Sequence, residues 1–258
     1  MSELEFLSPA ARVAMADEWF EIATANHFWM QWRHAVLLQS LKRLAHPISR
    51  ALEIGCGHGV AREMIERDLD FPVDGCDLNL KALQLAKKGK GQLFVYDIFD
   101  RNPRLLRRYD LLLLMDVLEH LDDDRAFLKA SLEHLKPEGL VAINVPAYMA
   151  FYSNYDTIAG HKRRYDRARL GWLFRETNLT PLAIVPWGFS LVPLLWARKL
   201  MLRFVSSQRT IQAGFAEPNQ IIGAMLRILQ RVETHVPFRM PFGTSLLAVG
   251  RLHSASDG

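Results

Sequence analysis

From residue 50 onward, short apolar runs that end at glycine or aspartate alternate with segments whose apolar residues recur at helical spacing. Such runs predict strands, and their alternation with helices predicts a parallel sheet covered by helices. The run at 111–115 is apolar throughout, which is typical of a central strand buried on both faces. We therefore predict an α/β domain. In chain order its predicted strands are 51–54, 73–76, 93–96, 111–115, 140–145, 182–185 and 246–249.

The segments between these runs predict helices with identifiable ends. Asn79 is a suitable N-cap for the helix after the second strand, and Asp166 for a helix late in the chain. Carboxylates at 122–124 suit the start of another helix, and Lys-Pro-Glu-Gly at 136–139 predicts its end. The helix after the first strand carries three apolar residues on one face: Ala61, Met64 and Ile65.

A helical segment is also predicted before the first strand, within residues 14–44. Four of its apolar residues share one face: Val36, Leu37, Leu41 and Leu44. An aromatic cluster accompanies them, and packing in the core explains most of it. The cluster consists of Trp19, Phe20, Phe28, Trp29 and Trp32.

Residues 189–243 also have helical spacing and mix apolar with basic residues, among them Arg198, Lys199 and Arg203. Such a mixture is typical of helices that lie on membrane surfaces. It equally fits a cap packed on the rest of the protein, or a face between two copies. The stretch 177–197 is uncharged and long enough to raise the question of a membrane span, but three prolines and a glycine argue against a continuous helix.

Composition adds little about function but bounds the class of protein. The chain has 258 residues, of which 50% are apolar, so it can bury a full core as one domain. The net charge of +4 mildly favours acidic partners, but no pattern of nucleic-acid binding is present. Cys56 and Cys76 lie far apart in apolar stretches, and the first residues lack a secretion signal, so we expect a cytoplasmic protein.

The sharpest local signal is the sequence Glu-Ile-Gly-Cys-Gly-His-Gly at 53–59. It follows the first strand and precedes a helix, at the end of the sheet where open α/β folds bind ligands. Glycine at such a point allows a tight turn and brings the backbone close to a ligand. The motif therefore predicts a binding site at the end of the first strand.

Two further carboxylates end the neighbouring strands. Asp77 ends the second strand, and a carboxylate there can accept hydrogen bonds from both hydroxyls of a ribose. Asp97 ends the third strand, where it can accept from an adenine amino group while Ile98 covers the ring. With the glycine motif, these residues outline a bound adenosine.

On these motifs, and on Met-Asp-Val-Leu-Glu-His at 115–120, the sequence resembles the class I S-adenosylmethionine-dependent methyltransferases, in particular the ubiquinone-biosynthesis-like bacterial branch. The resemblance covers roughly residues 51–145. It implies a Rossmann-like, doubly wound fold with a mostly parallel seven-stranded sheet, helices on both faces and an antiparallel last strand. It also implies one domain, with a helical cap at 1–48, a cofactor-binding core at 49–188, a helical insertion at 189–243 and the last strand at 244–252.

The resemblance further implies an activity and a set of cofactor-binding residues. The activity is transfer of a methyl group from S-adenosylmethionine to an oxygen or carbon of a small-molecule or lipid-like acceptor. The residues implied to bind the cofactor are Glu53, Gly55, Gly57, Gly59, Asp77, Leu78, Asp97, Ile98, Met115, Asp116 and Val117.

Two other functions stay open at this point. A nicotinamide-dependent dehydrogenase has a related fold, but its fingerprint needs a third small residue where this chain has Val60. An acidic Glu53 beside the glycines also suits a cationic cofactor better than a pyrophosphate. A protein that binds the cofactor without catalysis is the other alternative.

Candidate acceptor residues follow the fifth strand. His161 is the candidate general base, on a loop at the ligand-binding end of the sheet, and His120 is a second candidate. The other candidate acceptor residues are Tyr148, Tyr152, Arg164 and Tyr165. We predict no metal and no nucleic acid. If 189–205 meets lipid, the protein would lie at the inner face of the membrane; the oligomeric state is open.

Overall fold

A single eight-stranded sheet forms the centre of the computed structural model, which describes residues 4–11, 22–201, 220–235 and 240–253. The strand order is β1-β4-β3-β2-β5-β6-β8-β7; β8 runs antiparallel to both of its neighbours, and the other pairs are parallel. The strands are β1 (Leu4–Phe6), β2 (Ala51–Ile54), β3 (Val73–Asp77), β4 (Leu93–Val95), β5 (Tyr109–Met115), β6 (Leu135–Pro146), β7 (Leu179–Trp187) and β8 (Ser245–Leu252).

The predicted fold class is confirmed, with one strand more than the seven expected. Seven of the strands overlap the predicted ones, and β5 lies between β2 and β6 with its four leucines fully buried. The additional strand β1 extends the sheet beyond β4, pairing Leu4 with Leu93. It is three residues long, too short for the alternation of apolar and polar residues that identifies a strand in a sequence.

Helices cover both faces of the sheet, as expected for a doubly wound fold. α4 and α6 pack on one face through Leu128 and Leu173, whereas α1, α2 and α8 pack on the other, for example through Trp32 and Ile65. The helices are α1 (Phe28–Leu44), α2 (Val60–Asp68), α3 (Leu80–Leu85), α4 (Asp124–Leu132), α5 (Asn154–Ile158), α6 (Arg167–Glu176), α7 (Val192–Met201) and α8 (Gln220–His235).

The predicted helix starts are confirmed, but one predicted helix end is wrong. Asn79 and Asp166 cap α3 and α6, and Asp123 caps α4, each by accepting a backbone N–H with its side chain. α4 already ends at Leu132, and the stop signals at 136–139 lie within β6. The strand pairing skips these residues, so their proline and glycine form an irregularity in a strand rather than the end of a helix.

The predicted helical segments 14–44 and 189–243 contain helices in their described parts. α1 covers the second part of the predicted segment 14–44, while Trp19 and Phe20 lie outside the described residues. The stretch 177–197 divides into β7, a short turn and the start of α7, as its prolines suggested. No helix in the described ranges is both long and apolar enough to cross a membrane. The division into cap, core and insertion stays a prediction.

Candidate active site

A cavity of about 570 Å³ lies at the carboxyl ends of β2, β5 and β6. Its floor consists of strand ends and the loops that follow them, including Glu53, Gly55 and Met115. Its other walls come from helices: Trp29 and Arg33 of α1, and residues of α7 and α8. Those last two helices contribute Leu194, Leu195, Ala197, Arg198, Met201, Ile222 and Leu226.

The glycine motif forms the turn between β2 and α2, with Gly55, Gly57 and Gly59 all at positive φ. Only glycine adopts this backbone conformation without strain. At Gly55 a Cβ atom would lie 2.7 Å from Cγ2 of Val117, so a larger residue would force Val117 to move. Gly55 and Gly57 line the cavity, whereas Gly59 caps α2 behind them and Val117 lies beneath Gly55.

Glu53 lies at the bottom of the cavity and is only 3% exposed. Its Oε2 accepts a hydrogen bond of 2.9 Å from the backbone N–H of Arg62, the third residue of α2. Burial raises the pKa of Glu53 to about 7, although the charge of Arg33 opposes this shift. A cation bound in the cavity would therefore stabilise the ionised carboxylate.

Asp77 connects the end of β3 to the glycine turn. Its Oδ2 accepts from the N–H of Gly57 at 2.8 Å, and its Oδ1 accepts from the N–H of Asn79 at 2.8 Å. Burial raises the pKa of this carboxyl, and the backbone hydrogen bonds oppose the shift. Asp77 and Leu78 are not part of the cavity wall, but Asp77 fixes the position of a loop that is.

Asp97 and Ile98 lie farther from the cavity than the adenosine prediction implied. Asp97 caps the turn after β4 by accepting from the N–H of Phe99 at 3.0 Å, and its own N–H donates to Oγ of Ser8. Ile98 is 2% exposed and belongs to the core on the α4 side of the sheet. Neither residue lines the cavity, so their contact with an adenine ring stays a prediction.

A buried polar chain that the sequence did not reveal crosses the cavity floor. Nη1 of Arg33 donates to Asp116 at 2.5 Å, and Asn144 donates to the same carboxylate at 2.7 Å. Trp187 in turn donates to Asn144 at 2.9 Å. Burial raises the pKa of Asp116, and the positive charge of Arg33 opposes this shift. Asp116 has φ of 63°, a rare backbone conformation for a non-glycine residue that is typical of functional sites.

His161 lines the cavity and is held by a buried carboxylate. Its Nδ1 lies 2.8 Å from Oδ1 of Asp156. Nε of Arg164 donates to the same oxygen, and Nη2 of Arg164 donates to Oδ2 of Asp156. Burial raises the pKa of Asp156, but the hydrogen bond from His161 and the charge of Arg164 outweigh it and lower the pKa to about 2. Asp156 is therefore ionised at neutral pH and orients the imidazole.

Glu119 and His120 lie next to His161 in the cavity wall. The rings of His120 and His161 meet edge to face, with centroids 4.9 Å apart, and burial together with the charge of His161 lowers the pKa of His120 to about 4. Glu119 is fully buried, and neither carboxyl oxygen has a hydrogen-bond partner on another described residue. Burial and the nearby Asp116 raise its pKa far above the usual value.

The potential ligand atoms of Glu119, His120 and His161 all lie within 4.8 Å of one another. This spacing could accommodate a divalent cation, whereas the sequence analysis predicted no metal.

The candidate acceptor residues separate into two groups. Arg164 lines the cavity together with His161, whereas Tyr148 and Tyr152 do not. The hydroxyl of Tyr152 donates to the carbonyl of His161 at 2.7 Å and so supports the loop. Tyr165 is fully buried in the core, where its hydroxyl is hydrogen-bonded to Leu118 and Asp124, and it does not line the cavity; its place in an acceptor site stays a prediction.

The aromatic residue that does line the cavity in this region is Tyr155. The guanidinium of Arg198 from α7 lies 4.4 Å from the centre of its ring. Leu195 and Leu226 line the cavity as well, so Tyr155 and these leucines give it an apolar wall. Leu194 and Met201 line the same wall and are 53% and 45% exposed, so the cavity opens to the surface beside α7.

Comparison with known proteins identifies the family to which the chain belongs. A family model described as "Methyltransferase domain" matches residues 23–184. This range contains the glycine turn, Asp77, Asp97, the Met115–His120 stretch and the loop with His161.

Two curated relatives are both ubiquinone biosynthesis O-methyltransferases. That of Pelagibacter ubique is 33% identical over 98 residues, and that of Bradyrhizobium sp. is 36% identical over 101 residues. These alignments cover 36% and 37% of this chain and only 40% and 39% of the relatives' lengths. Among solved structures, the N-methyltransferase NodS from Bradyrhizobium japonicum, in complex with S-adenosylhomocysteine, matches 93% of this chain and 95% of its own at a TM-score of 0.53 and 16% identity.

Proposed function

Because the chain belongs to the methyltransferase-domain family of S-adenosylmethionine-dependent enzymes, we propose that it transfers the methyl group of that cofactor to an oxygen or carbon of a small-molecule or lipid-like acceptor. The observation that carries the proposal is one cavity that joins the glycine turn and Glu53 to the Asp156–His161 pair. A cofactor and an acceptor can meet there. Family membership speaks against the nicotinamide-dependent alternative.

The residues around the glycine turn fit S-adenosylmethionine in chemistry. Gly55 brings the backbone to the cavity surface, and a side chain at that position would force Val117 to move. Glu53 supplies a buried carboxylate and Asp116 a partly buried one toward a cofactor that carries cationic sulfonium and ammonium groups. We assign these residues to its methionine end, and Asp77 to its ribose. When bound, the cofactor supplies an electrophilic methyl group on a good leaving group.

The protein's own task is then to position the acceptor and, for a hydroxyl acceptor, to remove its proton. Asp156 occupies Nδ1 of His161, which leaves Nε2 to accept that proton. The carboxylate of Asp156 stabilises the imidazolium that forms. The histidine thus favours an oxygen acceptor within the proposed class.

The acceptor side of the cavity supports an apolar substrate. Its wall consists largely of leucine, methionine and isoleucine side chains from α7 and α8, and the opening beside α7 is framed by exposed apolar residues. A lipid-like acceptor would bury its apolar part against this wall. The proposal includes peripheral membrane contact through residues 189–205 at the inner face of the membrane; residues 202–205 lie outside the part of the chain that the structure describes.

Calorimetry tests the cofactor assignment. The wild-type protein should bind S-adenosylmethionine, and Asp77→Ala should weaken binding about tenfold to a hundredfold, because hydrogen bonds to a charged group are lost. Asp97→Ala is the second variant: neither carboxylate lines the cavity, but Asp77 accepts a hydrogen bond from the glycine turn whereas Asp97 accepts from Phe99, so a loss of affinity in this variant would support the contact of Asp97 with adenine. Undetectable binding by the wild-type protein would reject the proposed function.

Turnover separates an enzyme from a protein that only binds the cofactor. Incubating the protein with a cell extract and methyl-labelled cofactor, followed by partition into lipid and aqueous phases, should place the label in the lipid phase. Label in the aqueous phase would instead indicate a polar small-molecule acceptor. Cofactor binding without any labelled product, across extracts, would favour the non-catalytic alternative.

Cofactor affinity should depend on pH because of Glu53. Its pKa of about 7 means that the carboxyl is largely protonated below neutrality in the absence of ligand. The cationic cofactor binds better to the carboxylate, so affinity should rise several-fold between about pH 6 and about pH 8, with release of a proton on binding near the lower value. Calorimetry in buffers of different ionisation enthalpy measures that proton. Glu53→Gln should remove its release; an unchanged release would assign it to another group.

A further inference from the structure

The outward face of α8 carries a stripe of exposed apolar residues. Ile221, Met225, Ile228 and Val232 recur at helical spacing and are 83%, 54%, 60% and 55% exposed. The opposite face of the same helix packs on the core, with Leu226 only 4% exposed. α8 is therefore apolar on two sides, although packing within the domain requires only one.

A basic groove runs along one flank of this stripe. Arg227 and Arg231 of α8 face α1 and α2 across a second cavity of about 260 Å³, to which Arg67 also contributes. Arg67 pairs with the neighbouring Asp68 at 2.7 Å, but Arg227 forms no ion pair with any described residue. The remaining lining residues are Gln31, His34, Met64 and Gln230.

α7 extends the apolar surface toward the mouth of the main cavity. Trp196 and Leu200 are 50% and 57% exposed, and Lys199 accompanies them. Both α7 and α8 also line the main cavity, through Leu194 and Ile222. Exposed apolar side chains, basic side chains and the cavity mouth are thus carried by the same two helices.

We propose that the outward faces of α7 and α8 dock on a bilayer that contains anionic phospholipids, with a lipid phosphate held in the groove between Arg67, Arg227 and Arg231. Apolar side chains flanked by basic ones are the arrangement that binds an interfacial helix to an anionic membrane. The arrangement favours a membrane over a second copy of the chain, because a self-complementary face would place the arginines of the two copies near one another. This docking rests on the peripheral membrane contact in the proposed function and deepens it by adding the face of α8 and a phosphate groove; it does not require turnover.

Vesicle co-sedimentation tests the proposal with the full chain. The protein should bind vesicles of phosphatidylcholine and phosphatidylglycerol, bind vesicles of phosphatidylcholine alone more weakly, and dissociate as the salt concentration rises. Free inorganic phosphate should compete only weakly, because it offers no apolar surface. Equal binding to both vesicle types, or no binding to either, would overturn the proposal.

Substitutions on the exposed stripe locate the surface. Met225→Glu and Ile228→Glu should each lower partitioning about tenfold or more, because they place a charge where an apolar side chain enters the membrane. Arg227→Gln should lower it about fivefold, as expected for loss of one basic charge near an anionic surface. Leu85→Glu is the matched control: Leu85 is 55% exposed on α3, outside this surface, and its change should leave partitioning intact.

Two further measurements keep the outcomes distinct. Calorimetric binding of S-adenosylmethionine should be unchanged in all four variants, so a failure of docking can be told apart from a failure of the proposed function. Light scattering reports the oligomeric state, and dissociation of a wild-type dimer by Ile228→Glu would assign the stripe to self-association and overturn the proposal. Vesicle binding retained by both glutamate variants would likewise overturn it.

Discussion

Replacing His161 by alanine is expected to lower kcat for a hydroxyl acceptor by about a hundred- to ten-thousandfold, the range that a general base supplies. His161 lines the cavity, and its Nδ1 is held 2.8 Å from Asp156, so Nε2 is the nitrogen available to the acceptor. The dissociation constant of S-adenosylmethionine should stay close to the wild-type value, because the glycine turn is untouched. Initial rates at saturating cofactor measure the effect.

Chemical rescue and a chelator distinguish this role from two others. Added imidazole should restore part of the lost rate if His161 removes a proton, and should do nothing if the histidine only supports the loop. EDTA should leave the wild-type rate unchanged. If EDTA abolishes the rate and a divalent cation restores it, Glu119, His120 and His161 would form a cation site, and the base assignment would fail.

The second large effect is expected on stability, from a buried arginine behind the glycine turn. Arg62 is 1% exposed, and its guanidinium donates to the carbonyls of Val73, Lys87 and Gly91 at 2.8, 3.0 and 2.8 Å. Arg62→Met removes the guanidinium donors from these three carbonyls. It also removes the positive charge 3.9 Å from the buried Glu66, whose carboxylate then keeps only its hydrogen bonds from backbone N–H groups. We expect the free energy of unfolding to fall by about 3–5 kcal/mol, the cost of breaking a buried charged network.

Urea denaturation measures this loss, and Arg67→Met provides the control. Arg67 lies on the same helix, but its side chain is 58% exposed and pairs with the adjacent Asp68. Exposed pairs of this kind contribute about 1 kcal/mol or less, so the control should unfold near the wild-type midpoint. A comparable loss in both variants would contradict the assigned role of the buried network.

Much of the fold follows from local pattern, and the reasons are physical. The run at 111–115 is apolar throughout, and the run at 140–145 is apolar except for Asn144, because helices cover both faces of β5 and β6; this signal identified them as strands. Asn79 and Asp166 were identified as helix starts because a side chain that accepts a backbone N–H acts within three residues. Such interactions are visible in the sequence since both partners are close together in it.

The misplaced helix end and the missed strand both depend on strand partners that are not close in the sequence. Lys136, Pro137 and Gly139 have the composition of a helix stop, but Lys136 pairs with Asp110 and the segment joins β6 beside β5. Leu135 and Leu140, on either side of this segment, pair with β5, and this long-range pairing outweighs the local preference. Strand β1 likewise depends on β4 as its partner, which is far away in the chain.

The site was predicted in part for the same reason. The glycine turn and Asp77 follow consecutive strands, so their proximity could be expected from topology alone. The Arg33–Asp116 pair joins a helix and a strand end that are 83 positions apart, and no local pattern in either segment predicts it. Asp156 is different, because Ser153 and Asp156 have the spacing of a capping box, a signal that could have marked Asp156 as a structured position beside His161.

The two sides of the main cavity come from different parts of the chain. Strand ends, the turns after them and residues of α1 line one part, and α7 and α8, which lie between β7 and β8, line the other. Natural selection can thus replace the segment between β7 and β8 and change which molecule is modified, while the machinery for the methyl donor is inherited intact. Related sequences should accordingly diverge fastest in this segment, and exchanging it between two of them is a direct way to build an enzyme with a new acceptor.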